Sequence, residues 1–581
     1  MSSPPNEAAP RVQRRKSSGA SVPHPGSIGA ALAARQRLAK RCVVADPKWY
    51  IDERKHRLSS PWLASVRAAS RERRESISMR ANIVRRTFHG PATRSNVTTR
   101  IPPMRRTFVC NFCIARCCSL IAVAMLSLPV GAQIAPGPNV NPRTVWSNPP
   151  EQFTTRVVAT GFDDPWEVTW GPDGFLWITE RTGKRVVRVN PLDGSRKVAV
   201  TIDEVQQKLA QDGLLGLALD PKLLHGSNYV YVMYTYDADP GPDETRRAKI
   251  RRYTYDPAAQ RLVDPVDLLT DLPHGPDHGA SRLVFGPDAK LYASRGDHGS
   301  NFLAYHCVPN RAQELPTAAE VAAHDWHAYQ GKILRINLDG SIPADNPMLN
   351  GVRSHVFTYG HRNPQGLAFG PDGRLYESEH GQDTDDEVNR IEAGRNYGWP
   401  LIAGYKDDQY YTYANWSAST PTPCAELQYG REIPSTVPQT KESDVDLPDF
   451  MPPLKTFFTV PSTHDTRVLG NATAALSGLD VYTSPAIPGW NPSILVTGMA
   501  SGVIYRIPLD AIDAAPTTYF KAQDRYRDLA IAPDGRRIYA VTTIYGRTLT
   551  DSGEVTAALA HPGALLEFTY AGPRADASAK R

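Results

Sequence analysis

The chain has 581 residues, of which 41% are hydrophobic, 9% aromatic and 22% charged. That composition is globular and excludes a wholly disordered chain, a collagen-like repeat and a polytopic membrane protein. The formal charge of +6 is unevenly placed: residues 1–103 carry 21 basic and 6 acidic side chains, residues 104–133 add three arginines, and residues 134–581 carry 42 basic against 54 acidic. The body is acidic and unsuited to polyanions, so no nucleic-acid partner is expected.

Residues 1–103 are rich in Arg, Ser, Ala and Pro without a sustained period. Such a segment cannot bury enough apolar surface to offset its ordering entropy, and it reads as a basic, disordered extension. Residues 104–132 have the layout of a secretory signal peptide. Arg105 and Arg106 precede an apolar run from about Cys117 to Val130, and Val130-Gly131-Ala132 supplies a small-residue cleavage site. The apolar run is too short to span a bilayer. Translation beginning at Met104 is the simplest account of the upstream stretch; a genuine basic arm is the alternative. A periplasmic or secreted protein follows, with no stable membrane insertion after cleavage. Cys110, Cys113, Cys117 and Cys118 have metal-like spacing, but they fall in the leader with no nearby His. Cys307 and Cys424 remain in the mature chain and either pair in an oxidising compartment or stay free.

Residues 133–150 read as a linker, and residues 151–575 as one domain. In that domain a unit recurs: Gly171-Pro172-Asp173-Gly174, Gly286-Pro287-Asp288-Ala289, Gly370-Pro371-Asp372-Gly373 and Ala532-Pro533-Asp534-Gly535 each lead into a short β-rich run. Pro presets φ and Gly supplies φ > 0, so each is a tight reversal feeding a strand. Small apolar strands sit upstream, at 166–170, 281–285, 365–369 and 527–531. Further strands follow at 185–194, 333–340 and 504–510. Strand, turn, strand, loop, strand is the signature of a propeller blade, and the spacing predicts an all-β, six-bladed β-propeller. The best short helical candidates are 204–209 and 317–323.

Several motifs, in order, carry a resemblance. They are Gln211-Asp212-Gly213-Leu214-Leu215-Gly216, Asp277-His278 with Arg282, Gly360-His361-Arg362-Asn363-Pro364-Gln365-Gly366, Asn396-Tyr397-Gly398-Trp399-Pro400, Gly404-Tyr405-Lys406-Asp407-Asp408, Thr440-Lys441-Glu442 and Arg525-Tyr526-Arg527. From about 154 to 572 the chain resembles the soluble PQQ-dependent glucose dehydrogenases, within the glucose/sorbosone dehydrogenase family. The resemblance implies oxidation of an aldose-type sugar to its lactone by hydride transfer to PQQ, with Ca²⁺ polarising the reacting carbonyl and a separate electron acceptor. It implies His278 as general base, with Asp277 orienting or tuning it. Arg362, Arg525 and Arg527 would hold the carboxylates of PQQ, since guanidinium forks bind carboxylates bidentately. Gln211, Asn363 and Thr473 would supply hydrogen bonds. Catalytic calcium would take the carbonyls of Gly381 and Gln382. Structural calcium would take Glu387 with Tyr397, and Asp407 and Glu442 with the Ala403 and Tyr405 carbonyls. A homodimer is open as the assembly.

The chain departs from the family pattern at particular places. Gln382 stands where Pro is usual, Ala500 replaces a lysine, Thr543 replaces an acid, and Phe302 replaces a glutamine on the sugar side. Val468 and Asn471 stand where aromatic residues surround cofactor and sugar. Two other functions stay open on the residues alone: a calcium-dependent lactonase-type hydrolase, and a non-catalytic extracellular binding propeller.

Overall fold

The computed structural model describes residues 146–209, 211–239, 241, 245–466 and 473–574. The expected extension, leader and linker up to residue 145, with Val468 and Asn471, lie outside the described residues.

The repeated turns work as the sequence suggests, and their Asp does more than reverse the chain. Asp173 Oδ1 accepts the Phe175 N–H at 3.2 Å and the Trp177 Nε1–H at 3.2 Å. Asp288 and Asp372 accept the N–H groups of Lys290 and Arg374 and the hydroxyls of Tyr292 and Tyr376. Each Asp thereby pins the turn to an aromatic residue of the strand that follows. The fourth turn position has positive φ in Gly174 (76°), Gly373 (74°) and Gly535 (64°), where glycine carries no Cβ penalty, and Ala289 adopts it too at 57°.

The domain folds into six four-stranded antiparallel sheets, four of which contain one of these turns. Blade 1 comprises Pro165–Trp170, Leu176–Glu180, Arg185–Val189 and Arg196–Thr201. Blade 2 comprises Leu214–Leu219, Tyr229–Asp237, Arg246–Asp256 and Arg261–Pro273. Blade 3 runs through Leu283–Phe285, Leu291–Arg295, Lys332–Ile336 and Val356–Tyr359. Blade 4 uses Pro364–Phe369, Leu375–Glu379, Asp386–Ile391 and Lys455–Phe457. Blade 5 uses Leu476–Tyr482, Ser493–Gly498, Val503–Pro508 and Thr517–Tyr519. In blade 6 the inner strands Tyr526–Ile531, Arg537–Thr542 and Leu565–Pro573 are completed by Glu151–Ala159 from the start of the domain. The first strand therefore closes the ring.

The innermost strands touch in cyclic order, so the sheets surround one axis. Apolar clusters fill the seams between neighbouring blades; Trp177 of blade 1, for example, meets Tyr255 of blade 2 edge-on at 5.0 Å. On the axis, Arg282 bonds Glu167 Oε1 at 2.7 Å and both Asp528 oxygens at 2.8 and 2.7 Å. Its Nε donates to Gln365 O, while Glu167 and Asp528 accept the N–H groups of Leu217 and Val168. One buried ion triad thus joins five blades. Burial raises Glu167 to about 7 against the pull of Arg282.

The helix expected at 317–323 forms as Ala318–Ala323, with Thr317 and Glu320 making a reciprocal capping box. The helix expected at 204–209 does not form. Val205 is buried and bridges to Tyr236, and Gln206 N–H donates to Thr235 O, so the segment adds to the edge of blade 2. Packing overrides the short helical period there. Among the described residues no helix is long and apolar enough to cross a membrane.

Candidate active site

Each innermost strand runs from one end of the axis to the turn that follows it at the other. The segments that enter these strands therefore gather at one end. Trp166 lies at the entry of blade 1, Gln211 of blade 2, Asp277 and His278 of blade 3, Arg362 and Asn363 of blade 4, Thr473 of blade 5, and Arg525 and Arg527 of blade 6. Residues up to 361 positions apart in sequence meet for this topological reason. A cavity of about 590 Å³ opens at the other end, among Trp170, Phe285, Phe369 and Asp480, and holds none of the expected site residues.

His278 is buried, with φ of 46°. Its Nδ1 lies 2.6 Å from Asp297 Oδ1. Asp297 also accepts the Gly299 N–H at 2.9 Å, the Asn310 Nδ2–H at 2.9 Å and the Trp399 Nε1–H at 2.7 Å. Burial alone would raise this carboxyl, but His278, Arg362 and the Gly299 N–H hold it below its ordinary value. Asp297 therefore fixes the imidazole with Nδ1 protonated and leaves Nε2 as the basic nitrogen. The expectation that Asp277 orients the ring is corrected: Asp277 Oδ1 accepts the His278 backbone N–H at 2.8 Å and Gln211 Nε2–H at 2.7 Å. Asp277 shapes the loop; Asp297 holds the ring. Asp297 lies 19 residues on, in Arg295-Gly296-Asp297-His298, and nothing in its spacing singles it out.

Around this pair stand three guanidinium groups that make no ion pair with a carboxylate among the described residues. Arg362 donates to His380 O at 3.0 Å and lies 5.5 Å from Phe302 and 5.3 Å from Trp399 by ring centroid, with Nε buried and unpartnered. Arg527 sits 3.3 Å over Trp166 and donates to Gln365 Oε1 at 2.6 Å. Arg525 reaches Arg547 O and keeps Nε without a partner. Burial pushes Arg527 down to about 9 and Arg525 to about 10. Three poorly compensated cations in one recess amount to a demand for anions. Asn363 Nδ2 is buried and unpartnered as well, as is Nε2 of His380, whose protonation burial and the arginines suppress. Thr473 is half-buried just before Leu476–Tyr482, beside Ala474, whose N–H is held by Asp386.

Two residues missed from sequence complete the wiring. Gln365 Nε2 donates to Asn363 Oδ1 at 2.6 Å and to Gln211 Oε1 at 3.1 Å. Glu379 Oε2 accepts the Arg362 and Asn363 backbone N–H groups at 2.7 and 3.0 Å. Phe302 faces His278, the two rings 6.1 Å apart, and stands edge-on to Tyr429 at 5.7 Å. The Cys307–Cys424 disulfide ties the segment after Phe302 to the one before Tyr429, so these two cysteines are paired.

The loop at Gly381 and Gln382 leaves no room for a side chain at 381, where a Cβ would run into Thr384 O. Asp386 accepts the Gly381 N–H at 2.9 Å and the Ala474 N–H at 2.8 Å, and burial raises it to about 7. Beyond it, Glu387 accepts the Gly404 N–H, while Glu442 accepts those of Ala403, Asp407 and Asp408. Burial raises Asp385 to about 7, Glu442 to about 8, Asp407 upward and Glu387 well upward, and Asp407 Oδ2 is buried without a partner. Buried acids with spare oxygens are the hard donors that Ca²⁺ takes. The side chain of Tyr397 is otherwise engaged: its hydroxyl donates to Arg390 O and its ring stacks on His361 at 4.6 Å.

The chain matches the family described as Glucose / Sorbosone dehydrogenase over residues 162–425 and 453–549. It is 42% identical over 477 residues to quinoprotein glucose dehydrogenase B of Acinetobacter calcoaceticus, covering 79% of this chain and 98% of that one. Among solved structures it is similar to a PQQ-bound aldose sugar dehydrogenase of Streptomyces coelicolor, at 26% identity and a TM-score of 0.50, covering 73% of this chain and 99% of that one. The apo-form aldose sugar dehydrogenase of Escherichia coli shares the fold at 21% identity and a TM-score of 0.51, covering 73% and 100%. The ring of blades, the entry-loop site and these similarities agree: the chain belongs to the glucose/sorbosone dehydrogenase family.

Proposed function

We propose that this propeller is a PQQ- and calcium-dependent dehydrogenase that oxidises an aldose-type sugar to its lactone and passes the electrons to a separate acceptor. The observation that carries the reading is the recess of three guanidinium groups without carboxylate partners beside an imidazole held by Asp297. A flat tricarboxylate answers that demand, and Arg362, Arg525, Arg527, Asn363 and Thr473 would hold it. A lactonase-type hydrolase has no use for such a recess, and a binding scaffold has none for the His278–Asp297 pair. The relatives named as quinoprotein and PQQ-bound sugar dehydrogenases support the same cofactor. The carbonyls of Gly381 and Gln382 would hold its calcium, and a main-chain ligand tolerates Gln in place of Pro. PQQ held there with calcium would supply the acceptor for the hydride of the anomeric carbon.

The chain's own residues supply the rest. His278 Nε2 takes the proton of the anomeric hydroxyl as the hydride departs, and the Asp297 carboxylate offsets the charge of the imidazolium that forms. Asp277 and Gln211 hold the loop so that this nitrogen stays placed. Phe302 gives the substrate side an apolar wall on which the C–H face of a sugar can lie. The leader features at 104–132 and the Cys307–Cys424 disulfide support a periplasmic or secreted location.

The deciding experiment adds PQQ and Ca²⁺ to purified protein, records the spectrum of the bound quinone, then adds aldoses. Stoichiometric loading followed by reduction with at least one aldose is expected. A protein that never loads the quinone would overturn the proposal.

A further inference from the structure

We propose that the cleft between blades 2 and 3, at the end of the axis away from His278, is a binding site for a small aromatic carboxylate. A cavity of about 470 Å³ opens there beside the larger one, with which it shares Asp220, Pro221 and Phe285. Its walls come from both blades. Tyr229 and Tyr231 are alternate residues of Tyr229–Asp237, and Arg252 pairs with Tyr231 across the ladder, so the pleat sets all three side chains on one face of blade 2. Opposite them stand Phe285, which ends the innermost strand of blade 3, and Leu338, just after Lys332–Ile336. Phe285 meets Tyr231 edge-on at 5.4 Å.

The Tyr231 side chain is 0% exposed, and its hydroxyl is buried on this lining with no hydrogen-bond partner. Burial, with Asp220 adding to it, pushes the hydroxyl up to about 12, so it keeps its proton. The nearby Arg252 guanidinium can only donate, so that proton still lacks an acceptor. A buried donor left unmet is costly, and a ligand that accepts from it removes the cost. Arg252 itself rests 4.2 Å over the Tyr229 ring and makes no ion pair with a carboxylate among the described residues. Exposed Lys222 adds a second cation to the lining. The lining holds one carboxylate, Asp220, whose Oδ1 accepts the Lys222 backbone N–H at 2.8 Å. The cleft is therefore one cation in excess, which suits a monoanion better than a phosphate dianion. A carboxylate can take the Tyr231 O–H and the Arg252 fork together, in charge-assisted bonds. Phe285, Leu338 and Pro221 then cover a flat apolar body, the usual make-up of a small-molecule site.

This cleft is separate from the guanidinium recess. Gln211, which blade 2 contributes to the recess, enters Leu214–Leu219 from one end, whereas Asp220 and Pro221 follow that strand at the other. Occupancy of the cleft needs no PQQ.

The test is titration calorimetry of the full-length protein without PQQ, with benzoate as the probe and benzyl alcohol as its neutral counterpart. It uses neither cofactor nor activity, so its failure is distinct from failure of the dehydrogenase reading. Arg527→Ala serves as the background, because it disables the recess as a competing carboxylate site and leaves the cleft intact. In that background benzoate should bind about tenfold or more tightly than benzyl alcohol, and adding Arg252→Gln should weaken benzoate by about the same factor. Tyr231→Phe should also weaken benzoate while melting at or above the parent, since the hydroxyl it removes has no acceptor. That variant decides alone if Arg252→Gln does not fold. Benzoate binding that vanishes with Arg527→Ala belongs to the recess and overturns the proposal. So does affinity that neither cleft substitution changes, or a benzyl alcohol affinity equal to that of benzoate.

Discussion

Asp297→Asn keeps the shape of the residue that holds the proposed base, His278, while removing its charge. The carboxylate receives four donors, His278 Nδ1 and Gly299 N on one oxygen, Asn310 Nδ2 and Trp399 Nε1 on the other. An amide has one accepting oxygen, so in either orientation its NH₂ faces two donors. With NH₂ toward His278, the imidazole must accept at Nδ1 and carry its proton on Nε2, which removes the base. With oxygen toward His278 the tautomer survives, but the imidazolium loses its counter-charge and the N–H groups of Trp399 and Asn310 are left unmet. A lost charge-assisted bond costs about 1.5–3 kcal/mol, and a wrong tautomer in an analogous His–Asp pair costs roughly 10⁴-fold in rate. The expected outcome is a fall of about 10²–10⁴-fold in the rate of quinone reduction, with loading nearly unchanged because the guanidinium recess is intact. Stopped-flow reduction of protein reconstituted with PQQ and Ca²⁺ measures this directly. A variant that loads and is reduced at the parent's rate would refute the assignment of Asp297 and, with it, the tautomer argument.

Three further outcomes are expected. His278→Ala should load PQQ and lose about 10²–10⁴-fold in reduction rate, whereas Arg525→Ala and Arg527→Ala should weaken loading and leave the loaded fraction closer to parental rate; binding titrations and single-turnover kinetics separate the two. Calcium should stabilise more at high pH than at low. With chelator present, burial raises Asp385 to about 7 and Glu442 to about 8, so the folded state binds their protons more tightly than the unfolded chain. That contribution is full below the ordinary carboxylate range and is lost as pH climbs toward 8. Calcium bound at Glu442 would take that acid ionised and add about 2.7 kcal/mol at a hundredfold excess over its Kd; identical melting with calcium and chelator at pH 8 would contradict this. Cys307→Ser should cost about 2–5 kcal/mol, because the bridge closes a long loop, and thermal unfolding checks it.

What was legible in the sequence is what is local. Asp173, Asp288, Asp372 and Asp534 each bind within a few residues of themselves, so the blade unit repeats in the sequence as it does in space. His278 and the three arginines were legible through long motifs. Asp297 and Gln365 were not, since their significance arises only when entry loops of different blades converge. Asp277 adjoins His278 in sequence, but the carboxylate on the ring is that of Asp297, 20 positions after Asp277. Residues 204–209 failed for the opposite reason: a short helical period is a weak local signal, and pairing of Val205 with Tyr236 outweighs it.

The same convergence explains why the recess and the base cannot be independent. Arg527 bonds Gln365, Gln365 bonds Asn363 and Gln211, Gln211 bonds Asp277, and Asp277 holds the His278 backbone N–H. Every link is buried or partly buried, where hydrogen bonds are strong and an unmet partner is costly. An anion that draws Arg527 toward itself therefore acts on Gln365, and through it on the loop that carries His278. Gln at 211 and 365 suits this relay, because each amide donates at one end and accepts at the other. A carboxylate at either position could only accept, and a hydrocarbon would remove one partner from Asp277 or from Arg527. An anion filling the recess would therefore brace the loop that carries His278 through these same bonds.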